Sequence, residues 1–160
     1  MEQNTIFDIK TEWEFLSHAL RIFNFQYKNN TVYQDFCNYL NVDPKKVYTL
    51  EQIPFLPIEF FKSKNVVSTN QKAEIIFTSS GTTGSETSKH YVTDLSLYED
   101  SYLNAFKHFY GAIADYCIIA LLPSYLERTG SSLIYMAQDL IKKSKHPNSG
   151  FFLNEYDKLY

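Results

Sequence analysis

The sequence predicts an α/β fold: a helical lead-in, then a mostly parallel β-sheet with flanking helices. Three observations predict it. Apolar residues recur at helical spacing near the start, at Trp13, Leu16, Leu20, Phe23 and Tyr27. Beyond residue 65, short apolar runs alternate with longer helix-like ones, the order that a parallel sheet with crossover helices requires. Between the two parts stand Pro54 and Pro57, which forbid a long helix or an interior strand there. The 160 residues are read as one incomplete domain. Residues 1–64 form the helical lead-in and proline-rich connector, and residues 65–160 form the α/β part.

The elements follow in order. Thr11-Glu12-Trp13-Glu14 is a capping box, with Thr11 accepting from the third amide and Glu14 reaching back. A helix of about four turns follows, stopped by Asn29-Asn30. Thr31 to Gln34 offers a second box, with Tyr33, Phe36 and Leu40 on one face. Asn41 and Pro44 close that helix. Ile53 to Lys62 is an apolar connector pinned to the core, in which Pro57 can open a short helix. Residues 65–69 and 73–77 read as two strands joined by Asn70-Gln71-Lys72. His90-Tyr91-Val92 restarts an extended run.

Asp94 is the N-cap of the next helix, with Leu95, Tyr98, Tyr102, Phe106 and Phe109 at helical spacing and Gly111 as the stop. Asp115 to Leu122 is a near-continuous apolar run, read as a central parallel strand. Ser131 to Lys143 is a further helix, with Leu133, Met136, Ala137 and Leu140 inward and lysines at its C-terminal end, where cations suit the dipole. Gly150 to Leu153 is a last short strand, and Asn154 caps the start of another helix.

Composition bounds the function. An apolar fraction of 44% and an aromatic fraction of 17% suffice for a packed core. A net charge of −3 offers no electrostatic footprint for nucleic acid. No apolar run reaches the ~20 residues of a membrane helix. Met1-Glu2-Gln3-Asn4 does not begin a signal peptide. Cys37 and Cys117 are isolated thiols in apolar settings, expected buried and reduced, which suits the cytoplasm. His18, His90, His108 and His146 lack metal-ligand spacing.

The chemistry concentrates in one stretch. Ile75-Ile76-Phe77 reads as the end of a buried strand. Of the eleven residues from Thr78 to Ser88, eight carry hydroxyls. Gly81 and Gly84 free the backbone to turn, and Lys89 adds a cation. Backbone N–H groups, hydroxyls and one positive charge in one small volume suit a polyphosphate, whose charge is spread over many oxygens. The loop joins two strand-like runs rather than opening a helix, so its donors come from the loop itself. It is not a Walker A loop, because Glu86 stands five residues after Gly81 and no Gly-Lys pair exists. A flexible Ser/Thr/Gly linker is the plain alternative, but such linkers seldom sit flush between two apolar runs. A second stretch, Leu122 to Ser132, lies just past the carboxyl end of the predicted central strand, where open α/β sheets bind ligands. In it Arg128 can meet a carboxylate or phosphate, or pair with Glu127 at the surface. Ser131 and Ser132 can cap the following helix.

Ser80-Gly81-Thr82-Thr83-Gly84 resembles the T/S-S-G-T-T-G signature of the adenylate-forming superfamily. The continuation to Lys89-His90-Tyr91-Val92, the stretch Leu122-Pro123-Ser124-Tyr125-Leu126-Glu127-Arg128 with Ser131-Ser132-Leu133, and Ile53-Pro54-Phe55-Leu56-Pro57 look most like its acyl-protein synthetase branch. Phenylacetate-CoA-ligase-like enzymes are close relatives of that branch. The usual Pro-Lys after the last glycine is missing, and Lys89 comes later than the family's lysine.

The resemblance implies an ATP-dependent ligase that forms an acyl-adenylate from a carboxylic, here fatty, acid and passes the acyl group to a thiol of CoA or a protein cysteine. Ser79, Ser80, Gly81, Thr82, Thr83, Gly84, Ser85 and Lys89 would hold the ATP phosphates, with Thr82 beside Mg²⁺. Tyr125, Arg128 and Ser131 would border the substrate pocket, although Leu126 replaces a histidine common in the wider family. The resemblance also implies an N-terminal portion of a large adenylating domain. The family's adenine, ribose and catalytic lysine motifs would lie beyond Tyr160, so this chain alone is expected to be inactive. Alternatives are a non-catalytic scaffold or interaction domain on the same fold, or a carbohydrate- or peptide-binding module.

Overall fold

The computed structural model describes residues 6–68, 71–79, 87–123, 129–153 and 157. The lead-in forms as its caps dictate. Helix α1 spans Glu12–Asn29, and its capping box is complete: Thr11 Oγ1 accepts from the Glu14 N–H at 3.2 Å, and Glu14 Oε2 accepts from the Thr11 N–H at 3.0 Å. The Lys10 N–H, which donates to Glu14 Oε2 at 2.9 Å, and then the contacts with Thr11 hold the Glu14 carboxyl below its ordinary pKa. Helix α2 spans Thr31–Tyr39. Its cap is Asn30, whose side chain accepts from the Tyr33 N–H, rather than the Thr31 box. Asn30 also terminates α1 by donating its N–H to the Gln26 carbonyl, so one residue serves both helices.

The lead-in core is Phe23, Tyr33, Cys37, Val47 and Ile53. Phe23 meets Tyr33 edge-on at 6.2 Å, and the Tyr33 hydroxyl donates to the Pro54 carbonyl at 2.6 Å. The proline connector is therefore pinned to the core, as expected. It ends in the one-turn helix α3, Phe60–Ser63, begun by a turn at Pro57. Trp13, predicted on the inner face, is 76% exposed. The bend from α1 into α2 covers the C-terminal half of α1 and leaves its first turn in solvent.

The second part corrects the predicted sheet. Strands β1 (Ile75–Thr78) and β2 (Lys89–Val92) form an antiparallel hairpin, with Phe77 opposite His90 and Thr78 opposite Lys89. Strands β3 (Ile119–Ala120) and β4 (Gly150–Phe151) form a separate parallel pair. The architecture is α/β, but among the described residues there are two small sheets, and one is antiparallel. Residues 65–68 are not a strand. Of the predicted strand from Asp115 to Leu122 only Ile119 and Ala120 pair, matching the two residues of β4, and Asp115 belongs to a 3-10 turn, Ile113–Asp115.

Helix α4 (Leu95–Tyr110) carries the expected Asp94 cap and ends at Gly111, whose φ is 86°. Helix α5 (Ser132–Ser144) joins β3 to β4. Its inner face is Ile134, Ala137 and Leu140, while Leu133, predicted inward, is exposed. Cys37 is buried, but Cys117 is exposed, contrary to expectation, because it precedes the short strand rather than lying within a covered one. The helix predicted from Asn154 falls largely outside the described residues.

Candidate functional site

The site is built on the β1–β2 hairpin. Strand β1 anchors it: Phe77 is buried and packs against Tyr98 of α4 at 5.1 Å and Tyr135 of α5 at 5.8 Å. At the next two residues the chain turns polar. The Ser79 N–H donates to the Ser88 carbonyl at 3.1 Å, and the Ser88 N–H donates to Ser79 Oγ at 3.1 Å. These two bonds close the root of the predicted phosphate loop. Lys89 stands on the return strand opposite Thr78 with its side chain exposed. Thus Ser79 and Lys89 lie at the two sides of one neck. Ser80, Gly81, Thr82, Thr83, Gly84 and Ser85 lie outside the described residues.

The second stretch meets this neck. The Thr78 N–H donates to the Gly130 carbonyl at 2.7 Å. Gly130 is followed by Ser131, whose hydroxyl caps α5 by accepting from the Ile134 N–H at 3.4 Å. The Tyr98 hydroxyl donates to the Ser132 carbonyl at 2.9 Å. Two motifs some fifty residues apart in the chain therefore share a backbone hydrogen bond. Tyr125 and Arg128 lie outside the described residues.

Around β2 the surroundings are apolar. A cleft of about 750 Å³ runs between α1 and β2, bordered by Phe25, Phe61, Val67, His90, Tyr91 and Val92. His90 stacks on Phe61 with ring centroids 5.7 Å apart and planes 17° apart. Desolvation by that packing lowers the His90 pKa from its ordinary value, although the residue as a whole stays exposed. Beneath the hairpin, Tyr102 donates to Asp139 at 2.7 Å, and Asp139 also receives Lys143 at 2.8 Å. Burial and then the Asp139 carboxylate raise the Tyr102 pKa. That phenol stays protonated and acts as a donor.

Sequence reasoning missed three features: the Thr78–Gly130 bond, the His90–Phe61 stack and the tyrosine layer under β1. The only local signal for the first was a glycine directly before a helix cap. Among the described residues no group of three or more His, Cys, Asp or Glu side chains gathers to hold a metal.

The fold and neck define an α/β protein that carries a glycine- and hydroxyl-rich loop on an antiparallel hairpin. Residues 9–112 match the family described as Acyl-protein synthetase, LuxE. The chain belongs to that family. The match includes the hairpin and its loop and stops before the stretch at 122–133. Membership places the chain among acyl-activating ligases, which work on an acid and an acceptor. No curated protein matches the chain, and no solved structure does. Among the described residues no helix is long and apolar enough to cross a membrane.

Proposed function

We propose that this chain is the N-terminal, phosphate-holding part of an ATP-dependent, AMP-forming acyl-activating ligase acting on a fatty acid in the cytoplasm. ATP is the co-substrate. The acid's carboxylate oxygen attacks the α-phosphorus, the bond to the bridging oxygen breaks, and pyrophosphate leaves with that electron pair. A thiol of CoA or a protein then attacks the acyl carbon of the adenylate, and AMP leaves.

In this reading Ser79 to Ser85 and Lys89 hold the β- and γ-phosphates. Fixed amides and hydroxyls stabilise the charge that builds on departing pyrophosphate, at no reorganisation cost during the reaction. Tyr125, Arg128 and Ser131 border the acid. Mg²⁺ takes most of its ligands from phosphate and water, so here it would arrive with the nucleotide. Thr82 is the residue assigned to it, and its chemistry is charge neutralisation on the phosphates.

The observation that carries the reading is the neck. A strand anchored by buried Phe77 leads into a hydroxyl-rich loop, closed at its root by Ser79 and Ser88, within the stretch that matches the acyl-protein synthetase family. The adenine, ribose and acyl-transfer groups are assigned to the rest of the enzyme, so this chain binds ATP without turning it over.

The test is calorimetric titration of the chain with ATP and Mg²⁺. The unaltered chain binds, and a Thr82→Ala, Lys89→Ala double variant loses about tenfold or more in affinity, as removal of a charge-assisted hydrogen bond predicts. No binding, or binding indifferent to the double variant, overturns the reading. Pyrophosphate exchange by the chain alone overturns its assigned inactivity.

A further inference from the structure

We infer that Gly130 is a positioning residue for the phosphate-holding loop: its carbonyl and its missing side chain together set where the root of that loop stands. This rests on the reading of the loop given above.

Ser79 bonds to Ser88 across the hairpin. Alternation along an antiparallel ladder then turns the Thr78 N–H toward the opposite edge of β1. There the Gly130 carbonyl receives it at 2.7 Å. Gly130 has φ +80°, which L side chains rarely adopt. A Cβ there would lie 2.9 Å from Thr78 Oγ1 and 3.8 Å from Thr78 Cγ2. Threonine is stiff at χ1 and cannot swing freely away.

The Gly130 turn cannot easily retreat either. On its far side Ser131 caps α5, and Tyr98 of α4 holds the Ser132 carbonyl. An added side chain would therefore push Thr78, and with it the Ser79–Ser88 neck, away from the turn. The same turn follows the segment assigned to the acid. Gly130 thus sets how close the Ser79–Ser88 neck stands to the turn that begins α5.

The experiment compares ATP affinity of Gly130→Asn, Thr78→Ala and the double variant by calorimetry, at a temperature where circular dichroism shows each folded. Asparagine tolerates positive φ, so it adds the Cβ with little backbone strain. The expected result is at least a tenfold loss of ATP affinity in Gly130→Asn. The double variant regains the affinity of Thr78→Ala alone, which a merely destabilising substitution would not produce. Hydrogen exchange on the unaltered chain gives a second readout, independent of folding of the variants: ATP slows exchange at Thr78, Ser79 and Ser131 together. A folded Gly130→Asn variant that binds ATP as tightly as the unaltered chain overturns the inference, as does exchange at Thr78 and Ser131 indifferent to ATP. If the unaltered chain binds no ATP, the reading of the loop fails and the inference fails with it.

Discussion

The lead-in and the hairpin region are held together by different means. In the lead-in, α1, α2 and the connector share one continuous apolar cluster, and their ends are capped by near neighbours in sequence. In the hairpin region, helices α4 and α5 are joined by tyrosine hydroxyls. Tyr98 reaches the Ser132 carbonyl, Tyr102 reaches Asp139, and Tyr135 reaches Glu99 at 2.5 Å. Their rings pack under Phe77 and against one another. Ile119 of the short parallel sheet and Leu121 just past it remain exposed there, although parallel strands are ordinarily covered on both faces. Apolar packing thus closes the lead-in, whereas directional bonds locate the site. A hydroxyl on a carbonyl fixes a position, while an apolar contact mainly fixes a volume.

The strongest way to break the comparison is Phe23→Ala. Phe23 is 2% exposed at the centre of the lead-in cluster, and its removal leaves a cavity costing about 3–5 kcal/mol. Urea denaturation followed by helical circular dichroism should show that loss. If the cost is below about 1 kcal/mol, the apolar cluster is not what closes the lead-in.

A smaller effect is expected from Tyr102→Phe. It removes the donor to Asp139 but keeps the ring, so the expected cost is about 1–2 kcal/mol, with Lys143 still pairing the carboxylate. The same urea titration measures it. An unchanged midpoint would mean that ring packing, rather than the hydroxyl, joins α4 to α5.

The finest distinction lies at His90, where the two regions touch through Phe61. Its folded pKa is lowered by desolvation. The unfolded chain therefore takes up the proton first as pH falls. The contribution of neutral His90 is fully present above its ordinary pKa and is lost as pH falls through the lowered folded value. Phe61→Ala should move the His90 titration, followed by NMR of the ring protons, up toward the ordinary value. A titration that does not move would place the desolvation elsewhere in the cleft.

Much of the molecule was legible before its structure. The Thr11–Glu14 box, the Asp94 cap, the Gly111 stop and the Ser131 cap were readable because each is a contact between residues two to four apart. The pinned connector was readable from Pro54 and Pro57. What failed was pairing and facing. A run such as Asp115 to Leu122 is apolar enough for a strand, but only Ile119 and Ala120 find a partner in β4. Trp13 and Leu133 fit a helical stripe, yet the elements packed on those helices cover neighbouring residues instead. The hydroxyl-rich character of the loop between Ser79 and Lys89 was legible from composition. Its attachment to Gly130 was not, because a hydrogen bond between residues 78 and 130 leaves no periodic trace.

The amino-acid order alone settled the caps that begin α1, α4 and α5 and the glycine that ends α4, that a hydroxyl-rich loop sits between two extended runs, and which family the chain resembles. These depend on local sterics, nearby hydrogen bonds and residue type. Only the folded arrangement decided that the loop's strands pair antiparallel, that Gly130 abuts Thr78 and that His90 lies on Phe61. Those depend on which distant surfaces meet when the chain collapses, and no spacing along the chain encodes that directly.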